Sequence, residues 1–128
     1  MFSRRKPTEA SLRATERRER EDAADRLIEK VPTLASLEIA LEEYTPTNTI
    51  GESRYVRRFV VERAPAHFEL PCTDKSCTDG GHDITREVLA SLRSGMRRFD
   101  GEHCCQGNVG TGTCGRVLRY VVVATYRE

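Results

Sequence analysis

The alternation of hydrophobic and polar residues predicts one clear helix and one clear strand in the second half of the chain. In "DITREVLASLRSG", residues 83–95, hydrophobic residues recur every three or four positions, which is typical of an amphipathic helix. Asp83 can cap its start, and Gly95 is suited to its end. The shared hydrophobic face consists of Ile84, Val88, Leu89, Leu92 and Met96. In "RVLRYVVVATY", residues 116–126, β-branched and aromatic residues occupy both parities, as expected of a central strand covered on both faces.

The segment at residues 34–44 fits two periods. With period two the inward residues are Leu37, Ile39 and Leu41, whereas with period 3.6 a helical stripe contains Leu34, Leu37, Leu41 and Tyr44. The loop "TPTNTIGES" and the strand-like "RYVRRFVVE" that follow resemble the second arm of a hairpin, which favours a strand. Farther on, "HFELPC" alternates in the same way and predicts a short strand that ends at Cys72.

The N-terminal segment is rich in charge and poor in hydrophobic residues. Residues 1–30 contain nine Lys or Arg and seven Asp or Glu, and neither Gly nor Pro occurs between Thr8 and Pro32. Oppositely charged residues four apart, such as Glu16 and Arg20, support a helix. Its hydrophobic face lies at the C-terminal end and consists of Ala23, Ala24, Leu27, Ile28 and Val31. We expect a helical extension at 1–32 and a folded domain at 33–128.

These patterns predict an α+β fold with a charged N-terminal helix and a small antiparallel sheet. The expected strands lie near 35–44, 54–62, 67–71 and 116–126, and helix 83–94 packs on one face. A length of 128 residues suits one domain, but 38% hydrophobic residues and no tryptophan indicate a modest core. A small core of this kind often needs additional stabilisation from a structural metal or a covalent cross-link.

Composition also limits the location and the partners. The longest strongly apolar run is only residues 121–124, and no signal-like segment opens the chain, so we expect a cytoplasmic protein without membrane contacts. In that reducing compartment, clustered cysteines bind metal or do chemistry more often than they form disulfides. The net charge of +1 predicts no general attraction to polyanions.

The five cysteines form two groups on either side of the predicted helix. Cys72 and Cys77 bracket "TDKS", and a glycine-rich loop separates Cys104 and Cys105 from Cys114. Two such pairs on short loops are the pattern of a closed tetrahedral thiolate site, and neighbouring glycines permit turns whose N–H groups point at sulfur. The alternative is small cysteines that merely fill a core. The predicted ligands are Cys72, Cys77, Cys105 and Cys114, with Cys104, His82 and His103 as alternates. Cys105 is preferred because Gln106 and Gly107 follow it in a knuckle-like turn.

Two loops carry a resemblance to zinc-ribbon proteins. "CTDKSC" and "CQGNVGTGTC" are similar to the two knuckles of that family, each beside a strand, and the resemblance covers about residues 68–120. Zinc ribbons usually place two residues between the cysteines of a pair, whereas this chain has four in the first pair and eight or nine in the second, depending on whether Cys105 or Cys104 is counted. The resemblance implies a structural zinc that holds a small sheet, often in proteins that bind nucleic acids or macromolecular machines.

Nucleotide binding and catalysis are not predicted. Residues 110–115 spell G-x-G-x-x-G, but a dinucleotide fingerprint needs a helix directly after its glycines, and here a strand follows. The H-x-E and P-C-x-x-C pattern of the zinc deaminases is missing. A complete thiolate set also leaves no coordination position for water, so we expect a protein that is not an enzyme.

Three hypotheses for the biological role follow. The first is a zinc-stapled module that docks on nucleic acid or a nucleoprotein assembly such as the ribosome or transcription machinery. Its candidate contacts are Arg4, Arg5, Lys6, Arg13, Arg17, Arg18 and Arg20, with Arg57, Arg58, Arg97 and Arg98 as additions, although interleaved glutamates fit a solvated helix equally well. The second is a protein-interaction adaptor that pairs with a partner or its own copy through Leu12, Ala23, Leu27 and Ile28. The third is a zinc–thiolate redox sensor that uses the spare thiol at Cys104 or Cys105.

Overall fold

A computed structural model of the chain describes residues 9–45, 48–74 and 76–128. In chain order the elements are α1 (Glu9–Ala23), α2 (Leu27–Lys30), β1 (Leu34–Thr45), β2 (Asn48–Phe59), β3 (Glu69–Leu70), β4 (His82–Asp83), α3 (Thr85–Arg93), β5 (Arg98–Cys104), β6 (Asn108–Val109), β7 (Gly112–Thr113) and β8 (Val117–Tyr126). The main sheet has four antiparallel strands in the order β2–β1–β8–β5. The predicted α+β architecture is confirmed at this level.

The main sheet differs from the prediction in the length of its first two strands and in the strand that lies beside β8. Residues 34–45 are a strand, as the period of two indicates, and β1 and β2 continue well into the loop expected at 45–53. The segment expected at 67–71 does not join the main sheet; only two of its residues form β3, which pairs with β4 in a separate two-stranded sheet. The position beside β8 is taken by β5, which the sequence analysis missed because Phe99 is its one large hydrophobic residue.

The core lies on one face of the main sheet. Leu37, Ile39 and Leu41 of β1 alternate inward, and Val122 of β8 and Val88 of α3 pack against them with complete burial. Residues of the other parity on β8 are less covered: Arg119 is exposed and Val123 retains 39% of its accessible surface. The expectation that strand 116–126 is covered on both faces is therefore wrong, because the described helices leave the second face open.

The N-terminal helix is broken, contrary to the predicted single helix that ends at Pro32. Its first part ends at Ala23, and the second begins at Leu27. Between them the chain pairs with residues near Pro65: the Leu27 N–H donates to Ala64 O at 2.9 Å, and the Ala66 N–H donates to Asp25 O at 2.7 Å. These bonds replace helical ones and bury Leu27 completely.

The end of α3 follows the predicted chemistry, whereas Ile84 and not the predicted Asp83 occupies its N-cap position. The Asp83 carboxylate accepts the Thr85 N–H at 3.1 Å, and Gly95 adopts a φ of +76°, which lets the last carbonyls be satisfied. Met96 lies beyond this turn and is 44% exposed, so its predicted place on the buried face is wrong. No helix in the described part of the chain is long and apolar enough to cross a membrane.

Candidate metal centre

Two loops meet at the end of the main sheet where β8 begins. The first runs from β3 to β4 and carries Cys72 and Cys77, and the second runs from β5 to β8 and carries Cys105 and Cys114. A short antiparallel bridge fixes one loop to the other, because Thr78 and Asn108 exchange two backbone hydrogen bonds of 2.8 Å. The backbone therefore brings the two cysteine groups together before any metal is considered.

The four sulfur atoms have the spacing of a tetrahedral metal site. The Sγ atoms of Cys72 and Cys114 are 3.6 Å apart, those of Cys77 and Cys105 are 3.7 Å apart, and all four lie within 4.8 Å of one another. A Zn–S bond of about 2.3 Å places sulfurs at the corners of a tetrahedron roughly 3.8 Å apart, whereas a disulfide needs about 2.05 Å. The cluster of Cys72, Cys77, Cys105 and Cys114 could hold a metal ion.

Glycines allow the backbone to approach these sulfurs closely. The N–H groups of Gly81 and Gly107 donate to the Cys105 Sγ at 3.4 Å and 3.5 Å. A Cβ atom at Gly80 would lie 2.7 Å from the Cys105 Sγ, and one at Gly107 would lie 2.6 Å from the Gly80 Cα. Side chains at either position would push the loops apart, so the glycines are required by packing around the sulfurs.

The thiols have unequal proton affinities. Burial raises the pKa of Cys72 well above its ordinary value, and it raises that of Cys77 to about 12. Burial also opposes ionisation of Cys105, but the N–H donors of Gly107 and Gly81 outweigh it and lower the pKa of this thiol. A cation that binds the cluster must displace protons from these thiols, so its affinity depends on pH.

A buried carboxylate joins both cysteine loops to the sheet. Glu43 of β1 retains 4% of its accessible surface, and its Oε1 accepts hydrogen bonds from the Thr73 hydroxyl at 2.6 Å and the Arg116 Nε at 2.5 Å. Thr73 follows Cys72 directly, and Arg116 lies two residues after Cys114. Burial alone would raise the pKa of Glu43, but the nearby His82 imidazole and the hydrogen bonds from Thr73 and Arg116 lower it to about 2.

Sequence reasoning did not single out Glu43, although the signal was present. Glu43 has the same parity as Leu37, Ile39 and Leu41, so the period-two pattern already places a glutamate on the inward face of β1. A buried carboxylate is stable only when it is paired. Its partner Arg116 lies 73 residues away, and no local pattern connects the two.

The alternate ligands lie outside the sulfur group. His82 is completely buried, its Nδ1 lies 2.9 Å from the Nδ1 of His103, and its Nε2 lies 3.5 Å from the Glu43 carboxylate. Burial and the neighbouring His82 lower the pKa of His103. Cys104 is exposed because the alternation of β5 turns it to the side opposite His103. His82 therefore lies against Glu43 and His103, and neither histidine belongs to the sulfur cluster.

Two arginines of the predicted basic cluster form hydrogen bonds with the folded domain. Arg13 donates to the Cys77 carbonyl and to Asp79, both at 3.4 Å, and Arg20 forms two hydrogen bonds of 2.8 Å and 2.6 Å with Glu69. Arg17 is half-buried and Arg18 is exposed. Arg4, Arg5 and Lys6 lie outside the described residues.

A second group of potential ligands, formed by His67, Glu69 and Asp83, also lies within 4.8 Å. The guanidinium of Arg20 already holds Glu69 in a two-bond ion pair and lowers the pKa of that carboxyl. The positive charge beside this group therefore comes from the Arg20 side chain of α1. Unlike the sulfur cluster, the group contains no cysteine.

Comparison with models of protein families, with curated proteins and with solved structures gives no match. The zinc-ribbon resemblance of the two cysteine loops therefore remains a prediction. Any function must be argued from the sulfur geometry and from the surfaces around it.

Proposed function

We propose that this protein is a small, non-catalytic binding module in which a zinc ion joins the two cysteine loops. The observation that supports it is the spacing of four sulfurs, 3.6 Å and 3.7 Å within the measured pairs. Soft thiolate ligands in a tetrahedron select zinc or iron over magnesium or calcium. Zinc is the proposed ion because four protein thiolates and N–H donors to sulfur are typical of structural zinc sites.

The proposed role of the ion is structural. Four protein ligands fill a tetrahedral shell and leave no position for a reactive water. The ligands also come from opposite sides of α3 in the chain, since Cys72 and Cys77 precede it and Cys105 and Cys114 follow it. The metal would therefore close a long loop and contribute directly to folding.

The test is the metal content of protein purified without added metal. We expect one zinc per chain in the wild type, and charge-transfer bands of a tetrahedral cobalt thiolate after cobalt exchange. Cys114→Ser should lose the metal, whereas Cys104→Ser should keep it because that thiol is exposed and lies outside the cluster. Iron in place of zinc, or full zinc content in Cys114→Ser, would contradict the proposal.

For the partner of this module, the proposal is nucleic acid or a nucleoprotein assembly. Arg57, Arg58 and Arg63 line a shallow cavity of about 270 Å³ beside β2, together with the 60%-exposed Val60 and with Glu21 of α1. Guanidinium groups suit phosphate oxygens through paired hydrogen bonds. Arg58 has a weak ion pair with Glu38 at 3.7 Å, which an incoming phosphate can replace.

Binding to labelled RNA and DNA at several salt concentrations tests this partner class. The wild type should bind with an affinity that falls steeply with salt. The double variant Arg57→Glu/Arg63→Glu should bind at least ten-fold more weakly, and the control Arg86→Glu/Arg93→Glu, with the same change in charge on exposed positions of α3, should not. Equal loss in both variants would exclude the surface around Arg57 and Arg63 as the binding site, and no salt-dependent binding by the wild type would exclude this partner class.

The open face of the main sheet favours a protein partner as the second candidate. Ala40, Val56 and Val121 line a cavity of about 310 Å³ on it. Ion pairs such as Glu42 with Arg54, at 3.3 Å, leave the surrounding surface nearly neutral, which suits a protein surface more than a polyanion. The adaptor surface expected on the N-terminal helix is reduced, because Leu27 is completely buried in the core. Self-association that Val56→Asp abolishes, measured by native mass spectrometry, would support this candidate.

A further inference from the structure

We propose that helix α1 completes the metal centre from outside, with Arg13 and Arg17 offsetting the negative charge of the metal–tetrathiolate group. Docking of α1 and binding of the metal are then thermodynamically linked, so each strengthens the other. This inference rests on the proposed metal site, and it adds a determinant of metal affinity that lies outside the ligand loops.

The geometry places two guanidinium groups on the outer side of the first cysteine loop. Arg13 and Arg17 lie one helical turn apart and line a cavity of about 390 Å³ together with Cys72, Cys77 and Gly80. Arg13 donates to the Cys77 carbonyl at 3.4 Å, so it contacts the backbone of a ligand residue directly. Its side chain is only 22% exposed, which weakens screening by water.

The charge of the metal-bound site complements that of α1. Four thiolates and one divalent ion carry a net charge of −2, and Arg13 and Arg17 line the cavity beside two of the four sulfur ligands. Asp74 also lines the cavity, and Asp79, which pairs with Arg13, is 82% exposed. The two carboxylates attract α1 with or without the metal, and the negative charge of the metal–tetrathiolate group adds to this attraction beneath Arg13 and Arg17.

Hydrophobic packing does not account for the attachment of α1. The core cluster contains no residue from the described side chains of this helix, and Leu12 is 50% exposed. The side-chain contacts of α1 with the domain include those of Arg13 with the Cys77 carbonyl and Asp79, and those of Arg20, which holds Glu69. A helix attached by charged groups responds strongly to a change in charge beneath it.

Zinc affinity of the full chain provides the first test, measured by competition with a chromophoric chelator. Arg17→Glu should weaken zinc binding at least ten-fold, in the range expected for coupled sites. Arg17→Lys, which keeps the positive charge, should stay within about three-fold of the wild type. Arg18→Glu is the matched control because this neighbouring side chain is exposed and does not line the cavity.

Hydrogen exchange of the zinc-loaded proteins provides the second test. Amides of Glu9–Ala23 should exchange faster in Arg17→Glu than in Arg17→Lys or Arg18→Glu, while amides of Thr85–Arg93 remain equally protected in all proteins. The protection of this second helix shows that each variant is folded. Loss of protection in both helices would mean that Arg17 supports the whole fold and not specifically the docking of α1, which would overturn the inference.

The outcomes separate this inference from the proposed function. A wild type that binds no zinc overturns both. A wild type that binds zinc, together with Arg17→Glu and Arg18→Glu variants of equal zinc affinity and equal α1 exchange, overturns the inference and leaves the proposed zinc site intact. Weaker affinity and faster α1 exchange in Arg17→Glu alone supports the link.

Discussion

Replacement of the buried glutamate by its uncharged isostere, Glu43→Gln, tests how the domain holds its cysteine loops. The carboxylate is 4% exposed and receives hydrogen bonds from Thr73 of the first loop and Arg116 of the second. Glutamine keeps the volume, but it cannot provide the charge that balances the guanidinium of Arg116. The substitution therefore removes the charge and leaves the shape of the core nearly unchanged.

The structure sets the expected magnitude. The folded protein holds the pKa of Glu43 at about 2, against an ordinary value of 4.5. At roughly 1.4 kcal/mol for each pH unit between those values, the ionised side chain contributes about 3 kcal/mol to stability at neutral pH. Because the folded-state pKa is the lower one, this contribution is complete above pH 4.5 and is lost as the pH falls toward 2.

Urea unfolding of the zinc-loaded proteins at pH 7 is the assay. Glu43→Gln should lower the free energy of unfolding by about 3 kcal/mol. Glu42→Gln is the matched control, since Glu42 has the opposite parity on β1 and pairs with exposed Arg54 at 3.3 Å. A surface pair of this kind contributes less than about 1 kcal/mol.

Two results would refute this account of Glu43. The first is a free energy of unfolding for Glu43→Gln within about 0.5 kcal/mol of that of Glu42→Gln, since surface substitutions usually lie in that range. The second is a difference from the wild type that already declines between pH 7 and pH 5. Both pKa values lie below that interval, so the difference should be constant there.

Further changes test the other contacts. Gly107→Ala should weaken zinc binding at least ten-fold because its Cβ would lie 2.6 Å from the Gly80 Cα, whereas Gly112→Ala, whose Cβ meets no atom closer than 4.0 Å, should bind zinc normally in the same titration. Leu92→Ala, at a core position with 1% exposure, should cost about 2–5 kcal/mol in urea unfolding; a cost below about 1 kcal/mol would contradict the packing of α3. Alkylation of the zinc-loaded protein should modify the exposed Cys104 without releasing zinc, and concurrent metal release would argue against the assigned cluster. Chelation should accelerate hydrogen exchange in both cysteine loops before it does so in α3, and simultaneous exchange would show that the metal supports the whole fold.

The local sequence pattern was sufficient to predict a helix or strand wherever its characteristic residues recur along the whole element. Hydrophobic residues at helical spacing predicted α3, including its terminal Gly95, and β-branched residues predicted β8. For residues 34–45, the hairpin partner decided between two periods, and the structure agrees with the strand. These elements were predictable because each one buries a continuous face.

The edge strand and the helix break were not predictable in this way. The strand β5 has little hydrophobic pattern of its own and exists because its backbone pairs with β8. The chain leaves α1 at Ala23 because the backbone near Pro65 offers alternative hydrogen bonds to Asp25 and Leu27. Neither partner is visible within a local window of sequence.

By itself, the sequence determined the class of fold, the helix α3 and the strand β8. It also showed two groups of cysteines whose spacing suggests one metal site. Only the tertiary structure decided that Cys105 and not Cys104 faces the other thiols, that Glu43 joins both loops, and that Arg13 and Arg20 are held by the domain. The physical reason is distance along the chain. Periodicity reports which side of an element is buried, whereas charge pairs and sulfur contacts join residues 28 to 73 positions apart.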